Sequence, residues 1–292
     1  MEELLQHEYI GYIINTLGYL VTAFVLFFIG KLVYQLFHPS IKVKYELVEN
    51  DNLAFAIAHA GYFIGILLAI GAAIVGDSNG LVQDIIDIST YGLLGIVLLN
   101  ISTIITDKVL LSKFSTRKEI IEDKNAGTGV IEAANAIASG LIIMGAVTGE
   151  GQTGMNGYLS ALMFWAIGQV GVIIITLVYN LITPYNVHEE IEKDNVAVGI
   201  GFAGVIVAIA NLIFFAIKGD FEGWSETFIN IGFEVGIGIL MLPVFRFIAD
   251  KVLLPGQKLT DELVNQEKPN VGAGIIEAFA YIGGSVLITW CI

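Results

Sequence analysis

Charge is scarce in this chain. Only 14% of its residues are Asp, Glu, Lys or Arg, against about a quarter in a soluble domain. Basic residues are the scarcer kind: 14 Lys and Arg stand against 28 Asp and Glu, a formal net charge of −14. That balance leaves no footprint for nucleic acid. Cysteine occurs once, as Cys291, so no intrachain disulfide is possible. The four histidines, His7, His38, His59 and His188, are scattered. There is no H-E-x-x-H, no Cys/His cluster, no Walker A sequence and no G-x-S-x-G. No Lys–Ser or Asp–Asp pair falls where an intramembrane protease would need it. We therefore expect neither an enzyme nor a metal or other cofactor.

What the chain does have is apolar length. It is 55% hydrophobic with a mean hydropathy of +0.77, and its apolar residues come in blocks of twenty or more. Such blocks read as helices crossing a lipid bilayer, where the backbone must satisfy its own hydrogen bonds. The fold class expected is all-α, a polytopic membrane protein of eight transmembrane helices. Hydropathy places the spans at about 9–37, 53–75, 85–106, 126–148, 157–182, 196–217, 227–248 and 271–292. The acidic start MEELLQHEY lacks the basic flank and cleavage site of a signal peptide, so the first block reads as a retained span. The connections after spans one, three, five and seven, with their flanks, hold 13 of the 14 basic residues, and only Lys218 lies on the other side. The positive-inside rule puts those connections in the cytoplasm of a cell (plasma) membrane and both termini outside.

The chain repeats itself. Glu49-Asn50-Asp51-Asn52-Leu53-Ala54 answers to Glu192-Lys193-Asp194-Asn195-Val196-Ala197, and Asp107 through Leu111 to Asp250 through Leu254, both at an offset of 143. Asn125-Ala126-Gly127-Thr128-Gly129-Val130-Ile131-Glu132-Ala133 answers to Asn270 through Ala278 at 145, two residues having entered the last basic loop. The domains expected are 1–148 and 149–292, two parallel four-helix repeats. An even number of spans per repeat gives both the same orientation, related by a pseudo-two-fold along the membrane normal. The pattern resembles the DUF350 family, also called UPF0719. An Asn followed by small residues opens one span (Asn52 with Gly61, Asn195 with Gly204), and an N-x-G-x-G-x-x-E-A segment opens another. The resemblance covers nearly the whole chain. It implies a fold and a membrane location rather than a reaction, and its single-repeat members imply that two copies assemble. Such members tend to be encoded near polyamine-metabolism and membrane-stress genes.

Glu132, Glu234 and Glu277 are the acids within spans, where a carboxylate costs about 3 kcal/mol or more at the centre. His59, Glu132 and Asn100 each lie seven residues from a boundary mark (Asn52, Asn125 and Asp107), so they share one level about 10 Å into the membrane. Thr128, Glu132, Asn135 and Ser139 share one helix face. In the second half His59 becomes Phe202, Asn100 becomes Pro243 and Asn135 becomes Ala280, while Glu234 replaces Tyr91. Glu277 keeps Tyr281 as its obvious polar neighbour, and no Lys or Arg is expected at its depth. One half thus reads as a polar, working site and the other as a drier support.

Two readings of the acids stay open. One is a channel or transporter for protons or monovalent cations, with Glu132 titrating, His59, Asn100 and Asn135 beside it, and Glu277 its counterpart. The other is a non-transporting scaffold or stress-response component, its glutamates acting as packing hydrogen bonds. That second reading recruits a cytoplasmic protein partner through the charged loops, above all residues 107–124. This segment fits a short amphipathic surface helix and a solvated connector equally. A homo-oligomer is compatible with either. Gly127, Gly129, Gly272 and Gly274 read as close helix packing, and Asn52, Asn125, Asn195 and Asn270 as helix N-caps. The segments Gly76 to Leu81 and Gly149 to Gly157 read as glycine-rich turns.

Overall fold

The computed structural model describes residues 2–75, 78–105, 108–109, 115–148, 155–218 and 223–292. Residues 76–77 and 149–154 of the glycine-rich turns, and 107 and 110–114 of the 107–124 segment, therefore lie outside the described residues. Among the described residues ten α-helices follow in order: α1 Glu2–Phe37, α2 Leu53–Val75, α3 Leu81–Ile105, α4 Ala126–Thr148, α5 Met155–Ile182, α6 Val187–Glu192, α7 Val196–Ile217, α8 Trp224–Ile248, α9 Leu259–Val264 and α10 Val271–Cys291. No strand occurs among the described residues.

Among the described residues, eight stretches of helix are long and apolar enough to cross a membrane: Tyr9–Phe37, Leu53–Val75, Leu81–Ile105, Ala126–Thr148, Gly157–Ile182, Val196–Ile217, Trp224–Leu253 and Val271–Cys291. Two differ from the hydropathy blocks for physical reasons. The third begins at Leu81 because Asp84 is fully engaged there. Its carboxylate accepts from the Ser78 hydroxyl at 2.6 Å, the Asn79 N–H at 2.8 Å and the Tyr19 hydroxyl. The seventh runs on from Ile248 through a π-helical turn, Ala249–Leu253, so it reaches further than its apolar run.

Four helices form a row, α2–α4–α7–α10, each packed most extensively on the next. The inner helices of the row are the more buried: 50% of the most apolar stretch is buried in α2, 61% in α4, 67% in α7 and 39% in α10, against 11% in the first span. Small residues let the row close up. A side chain on Gly129 would strike the Ala54 carbonyl, and one on Gly274 the Ala197 carbonyl. A side chain on Gly127 would come within 3.1 Å of the Val196 backbone, and one on Gly199 would strike the Gly127 backbone. Gly272 meets only the side chain of its own Asn270. A closed two-fold pair would also bring α10 onto α2, and no comparable contact exists there among the described residues. The halves are thus joined end to end, correcting the pseudo-two-fold expectation.

The reason lies in the elbows that precede α2, α4, α7 and α10. Each ends in an asparagine whose Oδ1 accepts a first-turn N–H: Asn52 from Phe55, Asn125 from Thr128, Asn195 from Val198 and Asn270 from Ala273. Each Nδ2 donates to an elbow glutamate: Glu46, Glu119, Glu190 and Glu262 in turn. The first three Nδ2 atoms donate again, at 2.8 Å, to a carbonyl of the next elbow: Asn52 to Ile120, Asn125 to Ile191 and Asn195 to Leu263. All four elbows therefore lie on one side of the row, and the two repeats are parallel. Each repeat is itself a pair of helical hairpins. Asp51, Lys124 and Asp194, just before the first three asparagines, adopt positive φ of 47°, 55° and 60°. Pro269 cannot adopt that conformation, and the fourth elbow is the one with two extra residues. Burial raises the Glu119 carboxyl above its ordinary pKa, while the hydrogen bond from Asn125 pulls it down.

Asn195→Ala removes a cap and a rung between elbows and leaves the buried Leu263 carbonyl without its donor. We expect it to destabilise the fold by about 2 kcal/mol, and Asn270→Ala, exposed and without a rung, by clearly less. Thermal unfolding in detergent checks the order; equal losses would contradict it.

Candidate functional site

The repeated glutamates sit in two structurally equivalent places with opposite contents. In the second half, Glu277 is completely buried. Its Oε1 accepts from Arg246 Nη1, from the Tyr281 hydroxyl at 3.2 Å and from the Tyr179 hydroxyl at 3.3 Å. Its Oε2 has no hydrogen-bond partner and lies where a side chain on Gly201 would be. Arg246 also donates through Nη2 to Thr260 at 3.3 Å and lies 5.5 Å from the Tyr185 ring centre. Tyr185 is outside the spans, and burial pushes its phenol up to about 12. On the elbow side Arg246 borders a cavity of about 310 Å³, together with Pro243, Asp250, Lys258 and Thr260.

This overturns two expectations. A cation does lie at the depth of Glu277, and the second half is the more highly charged of the two. Arg246 reads from hydropathy as a loop flank because the apolar run of α8 is fading there. The π-helical continuation to Leu253 carries the helix seven residues past it, so its Cα sits about 10 Å inside, level with Glu277. Arginine so placed is retained where a buried carboxylate needs a counter-charge. Tyr179 also escaped the sequence reading. Its signal is legible: Leu32-Val33-Tyr34 returns as Leu177-Val178-Tyr179 at offset 145.

In the first half, Glu132 is 9% exposed and lines a cavity of about 60 Å³. Tyr34, His38, Ala58, Tyr62, Thr103, Thr116, Arg117 and Ala136 are among its walls. The repeat offsets explain the space. Thr103 stands where the second half has Arg246, and Ala136 where it has Tyr281. The two bulky groups that close over Glu277 are replaced by two small ones beside Glu132. Ala58 replaces Gly201, so the niche that receives Glu277 Oε2 is partly filled in the first half. Arginine and threonine have also traded places: Arg246 reaches Thr260, whereas Thr103 shares its cavity with Arg117, the residue matching Thr260. Arg246 is rooted in a membrane helix, but Arg117 belongs to an elbow and is solvent-exposed. A cavity needs about 10–15 Å³ to hold a water, so this one has room for several, or for one small hydrated cation.

The other residues at this depth are partly gathered. Asn100 donates to the Tyr62 hydroxyl at 2.9 Å, and Tyr62 donates to the Gly30 carbonyl at 3.0 Å. Tyr62 then presents a wall to the cavity, so Asn100 reaches it through one intermediary. His59 is boxed by Tyr34, Phe55 and Phe63, with ring centres 4.7, 5.2 and 5.0 Å away. Its Nδ1 is unpartnered, and it stands behind Tyr34 rather than on the cavity wall. Asn135 is buried with its Nδ2 unpartnered and is not a wall residue. The polar stripe on α4 divides, for Ser139 accepts from Gln169 of α5 at 3.1 Å. Glu234 is buried with Oε2 unpartnered, but it lies twelve residues before Arg246, about 18 Å along α8, and joins neither site. No group of three or more potential metal ligands forms among the described residues.

Comparison with known proteins gives the same two-fold division. The Domain of Unknown Function family DUF350 matches twice, over residues 7–147 and 153–292. The chain belongs to the DUF350 family. A UPF0719 transmembrane protein of Aquifex aeolicus (strain VF5) is similar over its length, 23% identical across 275 residues, which is 92% of this chain and 97% of that one. No solved structure matches. The DUF350 repeat thus occurs here as a tandem pair whose N-x-G-x-G-x-x-E-A glutamates have diverged in setting, one sealed by an arginine and one facing a cavity.

Proposed function

We propose that this membrane protein passes protons or monovalent cations through its first half, with Glu132 as the group that binds and releases the ion. One observation carries the reading: Glu132 lines a cavity in which Thr103 and Ala136 stand at the positions that Arg246 and Tyr281 hold over Glu277. Thr103 and Ala136 are smaller than the arginine and tyrosine they match, and the cavity beside them has room for a small cation. Tyr34, Tyr62 and Thr103 supply oxygens around that room, and Asn100 orients the Tyr62 hydroxyl. Arg117, exposed at the mouth, is a counter-charge that can withdraw to water and expose the acid. The second half, with its own arginine fixed, supports the first. No bond-making chemistry is involved.

In this reading the elbows face the cytoplasm, since they and their flanks carry all the basic residues but Lys218. Both termini then lie outside a plasma membrane. Proton and monovalent-cation flux into proteoliposomes tests the proposal. Glu132→Gln keeps the shape of the side chain and removes its charge, and we expect it to reduce flux to background. Flux unchanged in Glu132→Gln, or none in well-folded wild type, would refute the mechanism.

A further inference from the structure

The ladder of elbows is open at both ends. Asn52, Asn125 and Asn195 are 1–3% exposed, each donating forward to a carbonyl of the next elbow. Asn270 repeats their cap and their bond to glutamate, at 2.7 Å to Glu262, but it is exposed and has no following elbow. At the other end, Glu46-Leu47 holds the place of Glu119-Ile120, Glu190-Ile191 and Glu262-Leu263. Leu47 is 39% exposed, and its carbonyl receives no asparagine side chain among the described residues. The row therefore ends in a donor and begins with the matching acceptor. Within one chain the two ends do not meet, because α2 and α10 lie at opposite ends of the row.

The helices beneath repeat the same complementarity. Gly127 of α4 packs on the backbone of Val196, and Gly199 of α7 packs back on Gly127. The residue matching Gly127 in α10 is Gly272, which faces nothing beyond its own Asn270 side chain. The residues matching Val196 and Gly199 in α2 are Leu53, 64% exposed, and Ala56. Ala56 holds this approach a methyl group wider than the one between α4 and α7.

We propose that the last elbow and α10 of one copy dock on the first elbow and α2 of a second copy. Asn270 then donates to the Leu47 carbonyl, and the contact between α4 and α7 is repeated between molecules. The contact is head to tail, so it propagates in one direction and closes as a ring when the rotation per copy allows. Docking of this kind needs no flux through either half.

The experiment is cross-linking in native membranes on a Cys291→Ser background. Leu53→Cys and Gly272→Cys match Val196 and Gly127, which touch inside the chain. Oxidation should link copies when both cysteines are present, or when the two single variants are co-expressed, and should give little when either is present alone. Monomer only from the pair, or a strong dimer from Gly272→Cys alone, which would set α10 against α10, overturns the proposal. Native mass in nanodiscs is the second readout. Wild type should exceed one copy, Asn270→Ala with Gly272→Leu should fall to a monomer that keeps its helical circular dichroism, and Ala56→Gly should strengthen association. A monomeric wild type, or an oligomer indifferent to these substitutions, also overturns it.

Discussion

Replacing Arg246 with methionine is expected to cost about 3–5 kcal/mol of stability, the range for removing one partner of a buried ion pair. The loss arises because Glu277 cannot move toward water. It is completely buried, with Gly201 against one carboxylate oxygen and Tyr179 and Tyr281 on the other. The two phenols supply hydrogen bonds but no charge. Removing the acid instead leaves Arg246 with its elbow-side cavity and Thr260, so Glu277→Gln should cost less. The double variant Arg246→Met/Glu277→Leu should recover much of the loss, because apolar residues of similar volume replace a buried pair with little penalty. Thermal unfolding of the four proteins in one detergent forms a double-mutant cycle. Losses that simply add would show that the pair is not coupled.

Thr103→Arg should give the first half the plug of the second and lower any cation flux at least tenfold without destabilising the protein. Thr103 lines the cavity with Glu132 and stands where Arg246 stands over Glu277. A guanidinium rooted in α3 would meet the Glu132 carboxylate across the cavity, and its permanent charge would keep other cations out. Adding Ala136→Tyr completes the copy of the second site. Proteoliposome flux beside thermal unfolding separates blockage from misfolding. Full flux in a stable Thr103→Arg protein would mean that ions take another route. Glu132→Gln and Thr103→Arg act on the same acid, so combining them should add nothing further.

Much of this architecture is written in the order of residues. Eight apolar blocks dictate eight helices because a bilayer offers backbone groups no other partner. The equivalence of Glu132 and Glu277 follows from the offset of 145 alone, and the four asparagines announce four helix starts by their capping chemistry. Three things were not legible. Arg246 reads as the flank of its span, two residues from the end of the apolar run, because hydropathy reports where apolar side chains stop and not where a helix stops. Within a shared depth, only packing decides whether a residue reaches the cavity: Tyr62 carries Asn100 to its wall, while Tyr34 stands between it and His59. The elbow ladder is carried by main-chain carbonyls of Ile120, Ile191 and Leu263, which no side-chain pattern can reveal.

The sequence by itself therefore determined the class of the molecule, its number of spans, its duplication and the pair of buried acids, since each depends on local hydrophobicity or on residue identity. Tertiary structure decided that the hairpins add on in a row rather than closing, because each asparagine reaches forward to the next elbow. It also decided that Glu277 is sealed by Arg246 while Glu132 lines a cavity. That outcome depends on which side chains from three or four different helices arrive at one point, a property of the packing and not of any single segment.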